Sequence, residues 1–159
     1  MDLPEILAGC VNIAVDRVFS TMVSLKTEQV KVIDIATLPH DTLEEVTGSV
    51  SFTGAMTGIL YLSINPKLTQ EITARILGDD GSGAQEQNDV IGELTNMVTG
   101  TLKTAMADKG YNSTLSIPTV IRGQSITMSC RGFLTAIGMT YHIPELNETF
   151  HVRALCKID

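Results

Sequence analysis

The sequence has few basic residues and no run of them. Lysine and arginine number 11 against 18 aspartate and glutamate residues, which gives a net charge of −7. Proteins that bind nucleic acid depend on clustered cations to neutralise backbone phosphates. We therefore expect no nucleic-acid partner.

Several motifs of enzyme sites are also missing. The three cysteines, Cys10, Cys130 and Cys156, lie far apart and form no CxxC spacing, so neither a zinc nor a redox site is indicated. No GxSxG, GxGxxG or GxxxxGK motif occurs, which argues against a hydrolase nucleophile elbow and a nucleotide-binding loop. Free cysteine is often part of a core, so we expect three buried thiols.

Membrane segments are not expected either. No apolar stretch approaches the roughly 18 residues of a membrane span, and MDLPEILAGC carries an acid where a signal peptide carries basic residues. We expect a cytoplasmic protein without a membrane span.

The composition is that of a folded domain. The chain has 159 residues, of which 43% are hydrophobic and 18% charged. This length is close to the commonest size of one domain with one core. We expect a single domain over residues 1–159.

Hydrophobic periodicity predicts an α+β fold, with long helices packed on a largely antiparallel sheet of five or six strands. The first helix should bury a stripe of Leu7, Val11, Ala14, Val18 and Met22. An acidic loop or short helix is expected over residues 39–48. Predicted helices cover residues 3–24, 65–78 and 86–109, and predicted strands cover 28–38, 48–54, 57–64, 117–130, 132–143 and 149–158.

The sequence also contains a weak internal repeat. Residues 7–22 align with residues 91–106 without a gap. Asn12 then matches Asn96 and Met22 matches Met106, whereas Gly9 stands opposite Glu93. Each of these helices is followed by strands, which favours a real pseudo-repeat.

The long helix over residues 86–109 has an unusual polar face. At 100° per residue from Val90, its apolar residues span roughly −20° to 120°, and Met97 points inward. A polar stripe lies opposite, at roughly 220° to 300°. The stripe consists of Asp89, Glu93, Asn96, Gly100 and Lys103.

Two interpretations of this stripe are open. Charged residues normally face water, so the stripe needs no function. However, Gly92 and Gly100 each cost about 1 kcal/mol relative to alanine inside a helix. At Gly100 the missing side chain would let another surface approach the backbone, which favours an interaction face.

The stripe resembles the signature of the CheC, CheX and FliY chemotaxis phosphatase family. Asp89-x-x-x-Glu93-x-x-Asn96, followed after 21 intervening residues by Pro118, resembles the acidic residue, Glu and Asn on one long helix of that family and its later proline. CheC-like proteins usually carry two such sites. Because Gly9 replaces the Glu beside Asn12, the first site should be silent, and one intact site is similar to the CheX branch, which is typically homodimeric through sheet edges.

The resemblance implies a protein substrate, the phosphoaspartate of a CheY-like response regulator. It implies that Asn96 positions the attacking water and that Glu93 pairs with the regulator's active-site lysine. Asp89, Gly100 and Lys103 would support the helix or the partner interface. The Mg²⁺ would belong to the regulator, so we expect no metal or cofactor in this chain.

Two alternatives remain. A binding adaptor or flagellar-switch relative of the same fold would dock a regulator without dephosphorylating it, and an unrelated α+β scaffold would do neither. His142 and His151 could face each other across two strands, but two histidines without a third ligand are weak grounds for a metal site. His40 lies in a predicted loop and indicates nothing.

Overall fold

The computed structural model describes residues 1–36, 41–129, 132 and 135–158. Within them lie three α-helices and nine strands. The helices are α1 (Leu3–Val18), which continues into a π-helical turn (Phe19–Val23), α2 (Pro66–Leu77) and α3 (Ala84–Ala107). The strands are β1 (Glu28–Asp34), β2 (Asp41–Thr42), β3 (Val46–Gly54), β4 (Met56–Ile64), β5 (Ser113–Leu115), β6 (Thr119–Arg122), β7 (Thr127–Met128), β8 (Thr135–Ile143) and β9 (Glu148–Ile158).

The strands form one large sheet and one small one. Seven strands pair in the order β1-β8-β9-β4-β3-β5, with β6 also paired to β3, and β2 pairs with β7 separately. Every ladder between described strands is antiparallel. The predicted α+β class is confirmed, and the sheet is wider than the five or six strands expected.

The additional strands lie in segments for which the sequence predicts one longer strand or an acidic loop. The strand predicted over 117–130 divides into β6 and β7, because a turn with Ser125 at φ 57° separates them. In the predicted acidic loop or helix, residues 41–42 form β2 and β3 begins at Val46, while residues 39–40, with His40, lie outside the described residues. Cys130 lies outside them too.

The core lies between the helices and one face of the sheet. Alternate residues of β9, namely Phe150, Val152, Ala154 and Cys156, are buried on this face. The ring of Phe150 stacks between those of Phe19 and Tyr141, at centroid distances of 4.5 and 5.3 Å. Burial of such aromatic area is the main favourable term in packing a sheet against helices.

The first helix differs from its prediction at its end. Leu7, Val11, Ala14 and Val18 are buried as predicted, but Met22 is 39% exposed. The last turn is π-helical, and its wider i→i+5 spacing changes the angular phase of the side chains. Phe19 and Val23 face the core in that turn instead of Met22.

The expectation that no apolar stretch reaches membrane-span length is wrong. The helical segment Leu3–Val23 has 21 residues and a mean hydropathy of 1.5, which suffices by length and composition to cross a membrane. Eight of its residues are buried in the protein core, which accounts for its apolar character. They are Leu7, Cys10, Val11, Ala14, Val15, Val18, Phe19 and Val23.

The sheet order supports the pseudo-repeat. One half comprises α1, β1, β3 and β4, and the other comprises α3, β6, β8 and β9. β4 and β9 pair at the centre, β3 and β8 lie outside them, and each outer strand then receives the first strand of the other half. The two halves are therefore related by a pseudo-twofold arrangement and interlocked through β1 and β6.

Candidate functional site

The candidate site lies on α3, which packs on the sheet through a broad buried face. The predicted inward residues Val90, Ile91, Leu94, Val98 and Leu102 are buried. Met97, also predicted to point inward, is half-buried and packs against the core at the edge of this face. The buried face extends further round than predicted, over roughly 200° at 100° per residue, because Gly92, Thr95, Thr99 and Met106 are buried too.

Two threonines let the helix approach the sheet closely. The hydroxyls of Thr95 and Thr99 donate to the carbonyls of Ile91 and Thr95, at 2.6 and 2.7 Å, which satisfies these buried polar groups within the helix. Thr95 packs directly over Gly48 of β3, where a Cβ atom would lie 2.0 Å from Oγ1 of Thr95. The contact fixes the depth and rotation of α3, and with them the direction of its outer face.

The outer face presents the predicted acid and amide groups. Asp89 and Glu93 are exposed and Asn96 is half-buried. Asp89 accepts a hydrogen bond of 3.1 Å from Nε2 of Gln85, one turn earlier. Over residues 1–36, 41–129, 132 and 135–158, the side chains of Glu93 and Asn96 have no hydrogen-bond or ion-pair partner. Both groups can therefore meet an external partner without breaking an internal bond.

Asp89 and Glu93 form a ridge between two depressions. On one side, a cavity of about 380 Å³ is lined by these acids together with Asn88, Gly92, Pro118 and Val120. On the other side, a groove of about 220 Å³ has mainly apolar walls from α2, α3 and the π-helical turn. A surface placed on the ridge thus meets a polar recess and an apolar one.

Pro118, the final residue of the predicted signature, borders the polar recess. It lies between β5 and β6, which pair with β3 one after the other, so it occupies the break in the edge of the sheet. A Cβ atom on Gly92 would lie 3.8 Å from Cγ of Pro118 and 3.6 Å from Cγ2 of Val120. These are ordinary van der Waals distances, so Gly92 lies under this segment but its packing does not require glycine.

Gly100 and Lys103 continue the stripe towards the end of α3. Both are half-buried. A Cβ atom on Gly100 would meet only Cδ1 of Leu115, at 4.0 Å, so the protein itself does not require glycine there. The role of Gly100 at a partner interface therefore stays a prediction.

Sequence reasoning missed a bridge to the start of α3. The guanidinium of Arg122 on β6 donates to Oδ1 of Asn88 at 2.6 Å and to Oε1 of Gln87 at 2.9 Å. The bridge ties the edge of the sheet to the first turns of the site helix. The sequence carries no local signal for it, because the partners are 34 and 35 residues apart.

The first helix presents its asparagine differently. Oδ1 of Asn12 accepts a hydrogen bond of 2.6 Å from the hydroxyl of Tyr141, and its Nδ2 lies 3.5 Å from Oε1 of Gln29. Tyr141 is 2% exposed, and burial raises the pKa of its phenol. Asn12 therefore satisfies a buried hydroxyl, whereas Asn96 at the matching position of α3 does not.

The remaining candidate groups do not converge. His142 bonds Asn147 and His151 bonds Thr140, each at 3.1 Å, and the register sets His142 opposite Thr149, so the histidines do not face each other. Among the described residues, no three His, Cys, Asp or Glu side chains could hold a metal together. Cys10 and Cys156 are buried as predicted, and burial raises the pKa of Cys156 to about 11.

Comparison with solved structures gives the same fold. A CheC-like superfamily protein from Shewanella sp. PV-4 is similar over 99% of both chains, with 25% identity and a TM-score of 0.82. The chemotaxis protein CheX from Vibrio vulnificus is 24% identical, with a TM-score of 0.82 over 95% of this chain and 99% of that one. CheX of Borrelia burgdorferi, solved in complex with CheY, BeF₃ and Mg²⁺, is 16% identical, with a TM-score of 0.76 over 95% and 97%.

Comparison with sequences gives the family. No curated protein matches the chain significantly. The family model described as chemotaxis phosphatase CheX matches residues 46–142, which include β3, β4, α3 and most of β8. Since this match covers more than half of the sequence and includes Glu93, Asn96 and Pro118, the chain belongs to the CheX family of chemotaxis phosphatases.

Proposed function

We propose that this protein hydrolyses the aspartyl phosphate of a CheY-like response regulator, with α3 inserted at the regulator's phosphorylation site. The observation that carries the proposal is the outer face of α3. Glu93 and Asn96, which have no side-chain partner among the described residues, lie three residues apart on a helix whose opposite face packs closely on the sheet. The Borrelia burgdorferi CheX, which shares the fold, was solved with CheY carrying BeF₃ and Mg²⁺.

Asn96 has the chemistry to orient the attacking water. Its amide offers an acceptor and two donors without a charge that would repel a phosphoryl group, but it cannot act as a general base. An acyl phosphate reacts readily, so positioning supplies most of the required catalysis. The water oxygen bonds to phosphorus, the bond from phosphorus to the aspartyl oxygen breaks, the carboxylate leaves with the electron pair, and the proton of the water ends on inorganic phosphate.

Glu93 would hold the regulator in place. Its exposed carboxylate has no partner within the described part of the chain and can pair with a lysine of the regulator's active site. Asp89, already bonded to Gln85, would support the rim of the interface. The Mg²⁺ that balances the phosphoryl charge would be bound by the regulator, in the cytoplasm where such regulators act.

The test is phosphate release from a phosphorylated CheY-like regulator of the same organism. Asn96→Ala should lower kcat by at least tenfold, where each tenfold corresponds to about 1.4 kcal/mol of barrier, because the water loses its orientation. Glu93→Gln should mainly raise KM, because the pairing with lysine is lost. Asn12→Ala, at the matching position of α1, and Glu5→Gln, at an exposed position of α1, are the controls and should leave both constants near the wild-type values.

The same assay separates an enzyme from a binding adaptor. An adaptor would bind the activated regulator without accelerating phosphate release and would tolerate Asn96→Ala. Unchanged release by Asn96→Ala, measured with protein of native stability, would show that water orientation by this amide is wrong.

We also propose that the protein is a homodimer joined through β1. This strand is a free edge of the large sheet, and all seven of its residues are exposed. They include Val30, Val32 and Ile33, exposed by 56%, 42% and 36%. An exposed edge with apolar side chains is a template for pairing with a second chain.

A further inference from the structure

An apolar groove runs along the side of the site helix that faces α2. Its walls come from Met22 of the π-helical turn, Ile76 and Leu77 at the end of α2, and Leu94 and Met97 of α3. Leu77 is 46% exposed and Met22 is 39% exposed, so the apolar surface reaches solvent. Exposed apolar side chains grouped around a recess mark interaction sites more often than scattered ones do.

Carboxylates form one rim of this groove. Glu86, Asp89 and Glu93 follow one another along α3 and all line the recess. Among the described residues that line the groove, the charged ones are these three acids, and the opposite wall is apolar. The surface therefore fits an occupant that carries a cation next to an apolar side chain.

The groove and the candidate site are contiguous. Glu93 lines both the apolar groove and the polar recess beside Pro118. A protein that brings a lysine to Glu93 therefore lies next to the groove. The groove, at about 220 Å³, is smaller than the pockets of about 300–1,000 Å³ that bind small molecules. Its size suits an inserted side chain.

We propose that this groove receives an apolar side chain of the phosphorylated response regulator, one that flanks the lysine paired with Glu93. The inference rests on the proposed function and adds an anchoring contact to it. Buried apolar anchors at the centre of an interface carry much of its affinity. Met22 and Met97 have flexible, unbranched side chains that can adapt to the shape of the inserted group. The groove would thus determine which regulators bind, while Asn96 determines the rate of hydrolysis.

Kinetics of a groove variant provide the first test. Met22→Ser with Leu77→Ser should raise KM for the phosphorylated regulator at least tenfold and leave kcat within about twofold, since a tenfold change in affinity corresponds to about 1.4 kcal/mol. Ile13→Ser is the matched control, because Ile13 is 49% exposed on α1 and lies outside the groove. Its constants should match those of the wild type. A KM for the double variant equal to that of the control overturns the proposal.

Methyl NMR of the unaltered protein provides the second test and does not depend on the folding of a variant. On addition of regulator activated with beryllofluoride and Mg²⁺, the methyl signals of Met22 and Met97 should shift. Those of Met56, Met106 and Met139, each at most 1% exposed, should not. Unshifted Met22 and Met97 signals in a formed complex overturn the proposal, as do shifts on self-association alone, which would assign the groove to a second copy.

The outcomes also distinguish this inference from the proposed function. If the protein binds the activated regulator but releases no phosphate, the proposed hydrolysis is wrong. The groove proposal then holds if the double variant raises Kd tenfold and fails if Kd is unchanged. If the wild type hydrolyses the phosphate and the double variant is unaffected, only the groove is wrong. If the wild type neither binds nor hydrolyses, both are wrong.

Discussion

At the scale of single residues, two asparagines on pseudo-equivalent helices have opposite environments. Asn12 is bonded to the buried hydroxyl of Tyr141, and Asn96 has no partner within the described residues. The same amide thus serves packing in one half of the molecule and is available for chemistry in the other. A site can lose its activity when its polar group becomes part of the structure.

This contrast predicts a separation of stability from activity. Asn12→Ala should lower the free energy of unfolding by about 1–3 kcal/mol, because the hydroxyl of Tyr141 loses its acceptor in a buried position. Phosphate release should be unchanged. Asn96→Ala should leave the free energy of unfolding near the wild-type value and lower the rate of phosphate release. Urea denaturation of both variants, alongside the phosphate assay, checks the prediction, and a loss of activity in folded Asn12→Ala would mean that the first site is active.

The alignment of the two asparagines could be predicted from the sequence, but the hydrogen-bond partner of Asn12 could not. The repeat places Asn12 opposite Asn96 from residue order alone. The partner of Asn12 is 129 residues away, on β8, and no local pattern connects the two. The bridge from Arg122 to Asn88 also gives no local signal, because 34 residues separate its ends.

At the scale of elements, α3 is a platform whose position is set by one close contact. Gly48 and Thr95 meet where β3 passes under the helix, and a Cβ atom on Gly48 would overlap both Oγ1 and Cβ of Thr95, at 2.0 and 2.9 Å. The helix can relieve such an overlap only by lifting or rotating. Either movement displaces Glu93 and Asn96 together.

Two glycine variants should therefore change stability in opposite directions. Gly48→Ala should destabilise the protein by about 1–3 kcal/mol through overpacking. Gly9→Ala should stabilise it by up to about 1 kcal/mol, since its Cβ atom would meet nothing within 4 Å and alanine favours the helix. Thermal unfolding measures both. A neutral Gly48→Ala would show that α3 is not held at this contact.

Periodicity predicted most of this helix and missed part of its buried face. Val90, Leu94 and Val98 follow the apolar pattern. Thr95 and Thr99 count as polar in a sequence, but their hydroxyls bond to carbonyls one turn earlier, so both residues can be buried. The π-helical turn that exposes Met22 could not be predicted from spacing either, because the spacing there is not that of an α-helix.

At the scale of the whole molecule, the two edges of the large sheet differ. One edge is the continuous strand β1, whereas the other is divided between β5 and β6. The break accommodates Pro118 against the site helix, so that edge serves the candidate site. The unbroken edge is the one that the proposed dimer would use.

The edge assignment predicts which substitutions prevent dimer formation. Val32→Lys on β1 should convert the dimer to a monomer, because two lysines would meet across the paired edges. Ile121→Lys on β6, where Ile121 is 36% exposed, is the control and should leave the dimer intact. Sedimentation equilibrium measures both. A monomeric wild type, or a dimer disrupted only by Ile121→Lys, would contradict the assignment.

The exchange of first strands between the halves also has a consequence for biosynthesis. Glu28 in β1 pairs with His142 in β8, so the ribosome must synthesise the chain at least as far as β8 before β1 can pair. Pairing between such distant segments is slow, because a long loop must close first. Until then the nascent chain carries the apolar helix Leu3–Val23 without its sheet, and a molecular chaperone has its clearest target there.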